Sequence, residues 1–394
     1  MGTIDHVRHL VETIGPRGST TAKEAEASQY AAKVLQEVGL DPTIEPFRSA
    51  RSAYYPFVLF TAAMLVSALL HWFAGRWGSV GALILATLAF VSVLLELAFR
   101  GNPLRWVLPK GHSQNVWAKI PPRDQPGEKI ILIGHVDSHR TPLIFSSERW
   151  LRLFRVLIPI GVVSALALIA LFAIGVASPV ATWRLLFIPF ALVLLGIFLL
   201  TLQADLTPYS PGANDNASGV AVVLSLAERL KSEPLTQASV WVVLSGCEEV
   251  GCYGADAFAR THLEELRNAV WIAVDSVGGA HTVPAYQTQE TFLLTTHSDQ
   301  GLLEMARHVT KDNPELGIHP YKLSGAYTEA AIGAIYGFRV ITMISFRMDG
   351  TVAEWHRPTD VVENVDLDVL DRSERFLWEL VREIDRNSVG EAQR

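Results

Sequence analysis

Four stretches of this chain run without a charged residue for 24, 19, 28 and 20 positions: 52–75, 77–95, 156–183 and 185–204. A helix needs roughly 20 apolar residues to cross about 30 Å of hydrocarbon, so each stretch meets or approaches that length. Buried core helices rarely run so long without a charge, which argues against a purely soluble fold. Within each pair the link is short, around Gly75-Arg76-Trp77-Gly78 and around Ala177-Ser178-Pro179. The pattern predicts two transmembrane hairpins, at 53–99 and 151–204. The first apolar stretch comes too late and is too long for a cleavable leader.

A hairpin returns the chain to the side it left, so everything outside the two hairpins shares one face of the membrane. The flanks on that face carry Arg48, Arg51, Arg100, Arg105, Lys110, Arg149, Arg152 and Arg155, whereas the tips carry only Arg76 and Arg184. The positive-inside rule then predicts an integral, multi-pass protein of four membrane helices with its polar part in the cytoplasm. His71, near the end of the first stretch, reads as an interfacial side chain.

Composition supports this division. Charged residues make up 19% of the chain, against about 25% in soluble domains, and mean hydropathy is +0.25. A net charge of -7 excludes nucleic acid as a partner, because phosphate binding needs clustered basic charge. The lipid bilayer is the partner that the composition implies. Cys247 and Cys252, the two cysteines, cannot build a disulfide framework.

The rest, 1–52, 100–150 and 205–394, reads as one α/β domain interrupted twice. Apolar β-rich runs predict strands at 115–120, 129–134, 239–245, 270–274, 291–296 and 338–345. Helical patterns fall at 217–231, 255–266, 299–309, 329–335 and 366–386.

The chemistry-bearing residues lie at strand ends. Strand 129–134 runs into His135-Val136-Asp137. In extended chain, residues two apart face the same way, so Asp137 can orient the His135 ring for metal binding. Gly212-Ala-Asn-Asp215-Asn-Ala-Ser-Gly219 is a tight polar turn before a helix, where Asp215 can offer an oxygen to each of two cations. Strand 239–245 ends in Gly246-Cys247-Glu248-Glu249, and adjacent carboxylates are costly without a neutralising cation. Asp275 ends strand 270–274, and Glu354-Trp-His356-Arg-Pro-Thr-Asp360 supplies a second histidine. Two His, two Asp and a Glu outside the C-terminal ends of strands suit a pair of divalent ions. The two imidazoles favour Zn2+, with Mn2+ or Co2+ as alternatives. The cysteines beside the Glu pair lack the spacing of a zinc-thiolate site.

These residues together resemble the co-catalytic di-zinc aminopeptidases, the family of secreted bacterial leucyl aminopeptidases and of the peptidase-like part of glutamate carboxypeptidase. The resemblance implies a three-layer helix/mixed-sheet/helix zinc-peptidase domain, here interrupted by the two membrane hairpins. It implies that Asp215 bridges both metals, with His135 and Asp275 completing one site and Glu249 and His356 the other. Glu248 would be the general base acting on a metal-bridging water, and Asp137 would orient His135. The implied activity is that of a membrane-anchored aminopeptidase on peptides or amino-acid amides. Rival readings are a metal-dependent carboxypeptidase or amidohydrolase, an N-acyl amino acid deacylase, and an inactive peptidase-like membrane adaptor.

The chain departs from the family pattern twice. His135 and Asp215 are 80 positions apart, and taking out the 55 residues 150–204 brings this to a family-like 25. The second hairpin is therefore an insertion between two expected ligands, which suggests hydrophobic substrates. Where the family has a Ser-Asp-His segment, this chain has Ser324-Gly-Ala-Tyr327-Thr-Glu329, making Tyr327 a candidate for the oxyanion.

Overall fold

The computed structural model describes residues 2–124, 127–178 and 185–392. Arg184 and part of the second hairpin's link lie outside the described residues. The helices in chain order are α1 (Thr3–Arg8), α2 (Ala22–Glu37), α3 (Tyr55–Phe73), α4 (Gly75–Leu97), α5 (Leu104–Val107), α6 (Glu148–Ala177), α7 (Ile188–Asp205), α8 (Gly219–Ser232), α9 (Tyr253–His262), α10 (Gln300–Asp312), α11 (Glu329–Ile335) and α12 (Leu367–Ala392). The strands are β1 (Thr43–Ala50), β2 (Lys110–Ile120), β3 (Lys129–His135), β4 (Ser239–Ser245), β5 (Val270–Val274), β6 (Val283–Thr291), β7 (Thr295–His297), β8 (His319–Ser324) and β9 (Arg339–Phe346). The chain divides into two compact units, one of Met1–Arg51, Lys110–His139 and Tyr209–Arg394, the other of Ser52–Pro109 and Arg140–Pro208.

The first unit is built on one mixed sheet of order β1-β2-β4-β3-β5-β9-β6-β7, with β8 beside β6. Its centre, β4-β3-β5-β9, is parallel, so four loops open at the same edge. These strands are apolar on both faces, as strands covered on both sides must be. Ile130, Leu132, Val240, Val242 and Ile272 join one core with α1, α2, α8, α10 and α12. Trp241 and Trp271, on the opposite face, pack against Phe258 of α9, and Gly333 of α11 lies on Trp271. The domain is thus three-layered.

The segment expected as a strand at 291–296 is instead a hairpin tip. Strand β6 ends at Thr291 and β7 starts at Thr295, and Phe292-Leu293-Leu294 is exposed. An apolar run at a surface turn imitates a strand when read for hydrophobicity alone. Strands β1, β6 and β8 lack the unbroken apolar run of the central strands; β1 and β8 lie at the sheet's edges, and β6 pairs with β9, β7 and β8.

In the second unit, α3, α4, α6 and α7 form a bundle in which α3 contacts α4 and α7, and α6 contacts the same two. Its centre is Met64, Ala68, Ala82, Ala86, Ala165, Leu168, Phe172 and Leu194. Small residues at such seams let helix backbones approach closely. Large apolar side chains, among them Leu69, Trp77, Leu88, Val163 and Leu192, point outward and stay exposed. All four helices are long and apolar enough to cross a membrane. The ends of the unit's second segment are tied together: the Thr141 amide donates to Pro208 O at 2.9 Å, and Arg140 pairs with Asp205 at 3.7 Å.

His71, in the last turn of α3, is buried within the bundle. Its Nδ1 lies 2.9 Å from Ser79 Oγ, and its ring centroid is 5.2 Å from that of Phe172. The short turn at Gly75 brings α3 and α4 side by side, and Gly175 of α6 leaves room for the imidazole.

Candidate metal centre

The loops leaving β3, β4, β5 and β9 carry His135-Val136-Asp137, Glu248-Glu249, Asp275 and His356 to one edge of the sheet. Asp215 arrives on the kinked turn Ala213–Ser218 before α8. That turn is held by its neighbours: the amides of Asn214 and Asp215 donate to the Asp360 carboxylate at 2.7 and 3.0 Å. Asn216 Nδ2 donates to Val274 O at 2.9 Å, while Asn216 Oδ1 accepts from the amides of Gly219 and Ser276.

The five expected ligands converge. Asp215 Oδ1 lies 3.4 Å from His135 Nε2, and Asp215 Oδ2 lies 3.4 Å from His356 Nε2. His135 Nε2 is 3.8 Å from Asp275 Oδ1, and His356 Nε2 is 3.4 Å from Glu249 Oε2. Two groups result, each with ligand atoms within 4.8 Å of one another: His135, Asp215 and Asp275, and His139, Glu249 and His356. His139 is absent from the sequence reading. The alternation that pairs His135 with Asp137 extends one step further to His139, so the signal was present in His135-x-Asp137-x-His139. Its ring stacks on His356 with centroids 3.5 Å apart and planes at 15°.

A shell of hydrogen bonds fixes this geometry. Asp137, fully buried, accepts from the amides of Glu248 and Glu249 and from the Ser19 hydroxyl. His135 Nδ1 lies 3.1 Å from Asp137 O. Arg17, also fully buried, donates to the carbonyls of Leu10, Gly15, Val136, Pro211 and Gly212, joining the β3 loop to the Asp215 turn. Burial lowers the Arg17 pKa to about 10, partly opposed by Asp360 and Asp137. Cys247 donates its amide to Glu24 Oε1 at 2.8 Å, and Cys252 Sγ donates to Glu248 Oε1 at 3.2 Å; neither belongs to a metal-binding group among the described residues. Tyr327 is half-buried, its ring at 75° to Phe292 with centroids 5.1 Å apart.

Burial, then the neighbouring carboxylates, push Glu248 and Glu249 well above the usual range, against the pull of His135. Burial also opposes ionisation of Asp215, but His135 and His356 outweigh it and hold its pKa low. Burial would depress His135, yet Asp137, Asp215 and Asp275 raise it. Nearby, Glu290 Oε2 accepts from Thr328 Oγ1 and Glu329 Oε1 accepts from Ser245 Oγ, both at 2.9 Å. Burial raises Glu290 to about 8 and Glu329 to about 7.

The residues fit two divalent cations. Glu249 Oε1 is buried with no hydrogen-bond partner among the described residues. The buried Arg17 directs its guanidinium to carbonyls, leaving the converging carboxylates without an ion-paired Lys or Arg among the described residues. Buried charges of this kind require pairing or a metal, and mixed imidazole and carboxylate donors suit zinc.

The model for peptidase family M28 matches residues 200–381. Over 85 residues, 21% of this chain, the sequence is 39% identical to aminopeptidase YwaD of Bacillus subtilis, a segment spanning 18% of that relative. The structure is similar to that of BSAP, a zinc aminopeptidase from Bacillus subtilis, with a TM-score of 0.57 and 14% identity, covering 97% of this chain and 94% of the other. It is similar to a glutaminyl cyclase from Porphyromonas gingivalis, with a TM-score of 0.57 and 13% identity over 98% and 97%. At such identities the structural likeness establishes the fold alone. Residues 200–381 thus match the M28 family model, and the fold is similar to that of zinc aminopeptidases.

Proposed function

We propose that this protein is a zinc-dependent exopeptidase of the aminopeptidase type, anchored by four membrane helices, that hydrolyses N-terminal peptide bonds. The observation that carries this reading is Asp215, whose two oxygens each lie 3.4 Å from a different imidazole. In this reading His135, Asp215 and Asp275 hold one ion, and Asp215, Glu249 and His356 hold the other. Bound zinc polarises a scissile carbonyl and acidifies water. Glu248, next to a ligand but outside both groups, takes the proton of the attacking water and delivers it to the leaving amine. Asp137 keeps His135, Glu248 and Glu249 in register, and Tyr327 is assigned to the oxyanion.

The four apolar helices support a multi-pass anchor, and the excess of flanking arginines supports a cytoplasmic catalytic unit. The second insertion leaves the peptidase unit after His139 and returns at Tyr209. An insertion that interrupts the chain between two proposed ligands supports a preference for hydrophobic or membrane-borne peptides.

The test uses the full chain in detergent with free-amine aminoacyl amides, N-acetylated counterparts and N-terminal glutaminyl peptides. The expected result is release of the N-terminal residue from free-amine substrates only, abolished by a chelator and restored by zinc. Turnover of blocked substrates alone would move the reading to a carboxypeptidase or deacylase, and cyclisation without hydrolysis would move it to a cyclase. Equal turnover of soluble and lipid-embedded peptides would remove the substrate preference. Resistance to alkaline extraction from membranes tests the anchor.

A further inference from the structure

We infer that His139 is a third imidazole ligand of this centre, completing the cation site of Glu249 and His356. The inference rests on the two-metal reading above and adds a ligand to it. His139 is 7% exposed, and its ligand atom lies within 4.8 Å of those of Glu249 and His356. Its ring faces that of His356 at 3.5 Å and 15°. Aromatic rings prefer offset or edge-to-face arrangements to a face-to-face sandwich, so ring attraction alone is a poor reason for this pose. What points to a ligand role is the convergence of the His139, Glu249 and His356 ligand atoms around a buried carboxylate with an unpartnered oxygen.

The backbone at His139 is fixed. The Ser210 amide donates to His139 O at 2.7 Å. Ser138 Oγ donates to Ser210 O at 2.9 Å, and the Ser138 amide donates to Arg17 O at 3.1 Å. The last residue before the second insertion is thus clamped to the chain where the insertion returns, and His139 is held by the peptidase unit itself.

A chemical asymmetry follows. One cation faces one imidazole and the carboxylates of Asp215 and Asp275, while the other faces two imidazoles, Glu249 and Asp215. Imidazole favours zinc, whereas carboxylate-rich sites accommodate harder ions such as manganese. The site bearing His139 is therefore the tighter zinc site.

The experiment compares wild type with His139→Ala and His139→Phe, the full chain in detergent, using elemental analysis and zinc titration against a chromophoric chelator. Wild type binds two ions. In both variants one ion is retained with unchanged affinity, and affinity for the other falls about 10- to 100-fold or more. Because Phe preserves a flat ring against His356, wild-type affinity in His139→Phe overturns the inference and leaves His139 a stacking residue. A wild type that binds fewer than two ions overturns the two-metal reading itself. X-ray absorption of the zinc-loaded wild type needs no variant: three imidazoles shared by two zinc ions are expected, and two overturn the assignment.

Discussion

Asp137 holds Glu248 by its backbone: Asp137 Oδ1 accepts the Glu248 amide at 3.1 Å. The other oxygen, Oδ2, accepts the Glu249 amide at 3.2 Å and the Ser19 hydroxyl at 2.6 Å. One buried carboxylate thereby sets the position of the proposed base and of the proposed ligand that follows it, while its own carbonyl faces His135. The Asp137 backbone and carboxylate therefore act on three residues of the centre.

Asp137→Asn is expected to lose about 1–3 kcal/mol of stability, because an amide has one acceptor atom and turns its NH2 against a backbone donor. Ser19→Ala removes a single hydroxyl bond and costs about 1 kcal/mol. Denaturant titration of the metal-free proteins reads both values. If Ser19→Ala proved as damaging as Asp137→Asn, the carboxylate would not be the organising group.

Glu248→Gln keeps the size of the side chain and removes its proton affinity. A loss of about 100- to 10,000-fold in kcat is expected, with zinc content unchanged. Loss of zinc in this variant would make Glu248 a ligand, and retention of activity would exclude it as the base.

Glu290 gives a pH signature. Its pKa rises from 4.5 to about 8 in the fold, through burial first and Asp275 in part. Between those values the folded state keeps a proton that the unfolded chain has lost. The contribution to stability is therefore complete below about pH 4.5 and declines by about 1.4 kcal/mol per pH unit up to about 8. Glu290→Gln is expected to gain stability over wild type at pH 8 relative to pH 5, leaving a shallower slope from Glu24, Glu329 and Asp360, which burial also raises. Parallel stability curves for the two proteins would refute this.

Gly175 packs where no side chain fits. A Cβ there would meet His71 Cε1 at 2.5 Å and Ser79 Oγ at 2.8 Å, whereas one at Gly196 meets nothing within 4 Å. Gly175→Val is expected to destabilise the helical unit by about 1–3 kcal/mol, seen as a lower Tm in detergent, with Gly196→Val near neutral. Equal Tm values for the two variants would show that the seam around His71 is not tightly packed.

Much of the architecture was legible in the chain because hydrophobic period and length report what a segment must cover. Strand Ser239–Ser245 and helix α11 coincide with their sequence expectations, since burial on both faces of a central strand leaves an unbroken apolar run. The edge strands β1 and β8 and the interior strand β6 did not, because their polar pattern resembles that of loops. The apolar tip Phe292-Leu293-Leu294 misled in the opposite direction. Locally, Glu248-Glu249 stood out because adjacent carboxylates are costly without a cation, whereas His135-x-Asp137 and the Asp215 turn became candidates only as members of the combined set.

The sequence alone determined the membrane-length helices, the apolar strands of the sheet's centre and the residue types of the candidate site, all properties of local composition and spacing. Only the tertiary structure decided that His139 stands with Glu249 and His356, that Asp360 and Arg17 brace the Asp215 turn, and that His71 is buried. The physical reason is that these relationships join segments far apart in the chain. No local period encodes them; they arise when packing and the demands of buried polar groups bring those segments together.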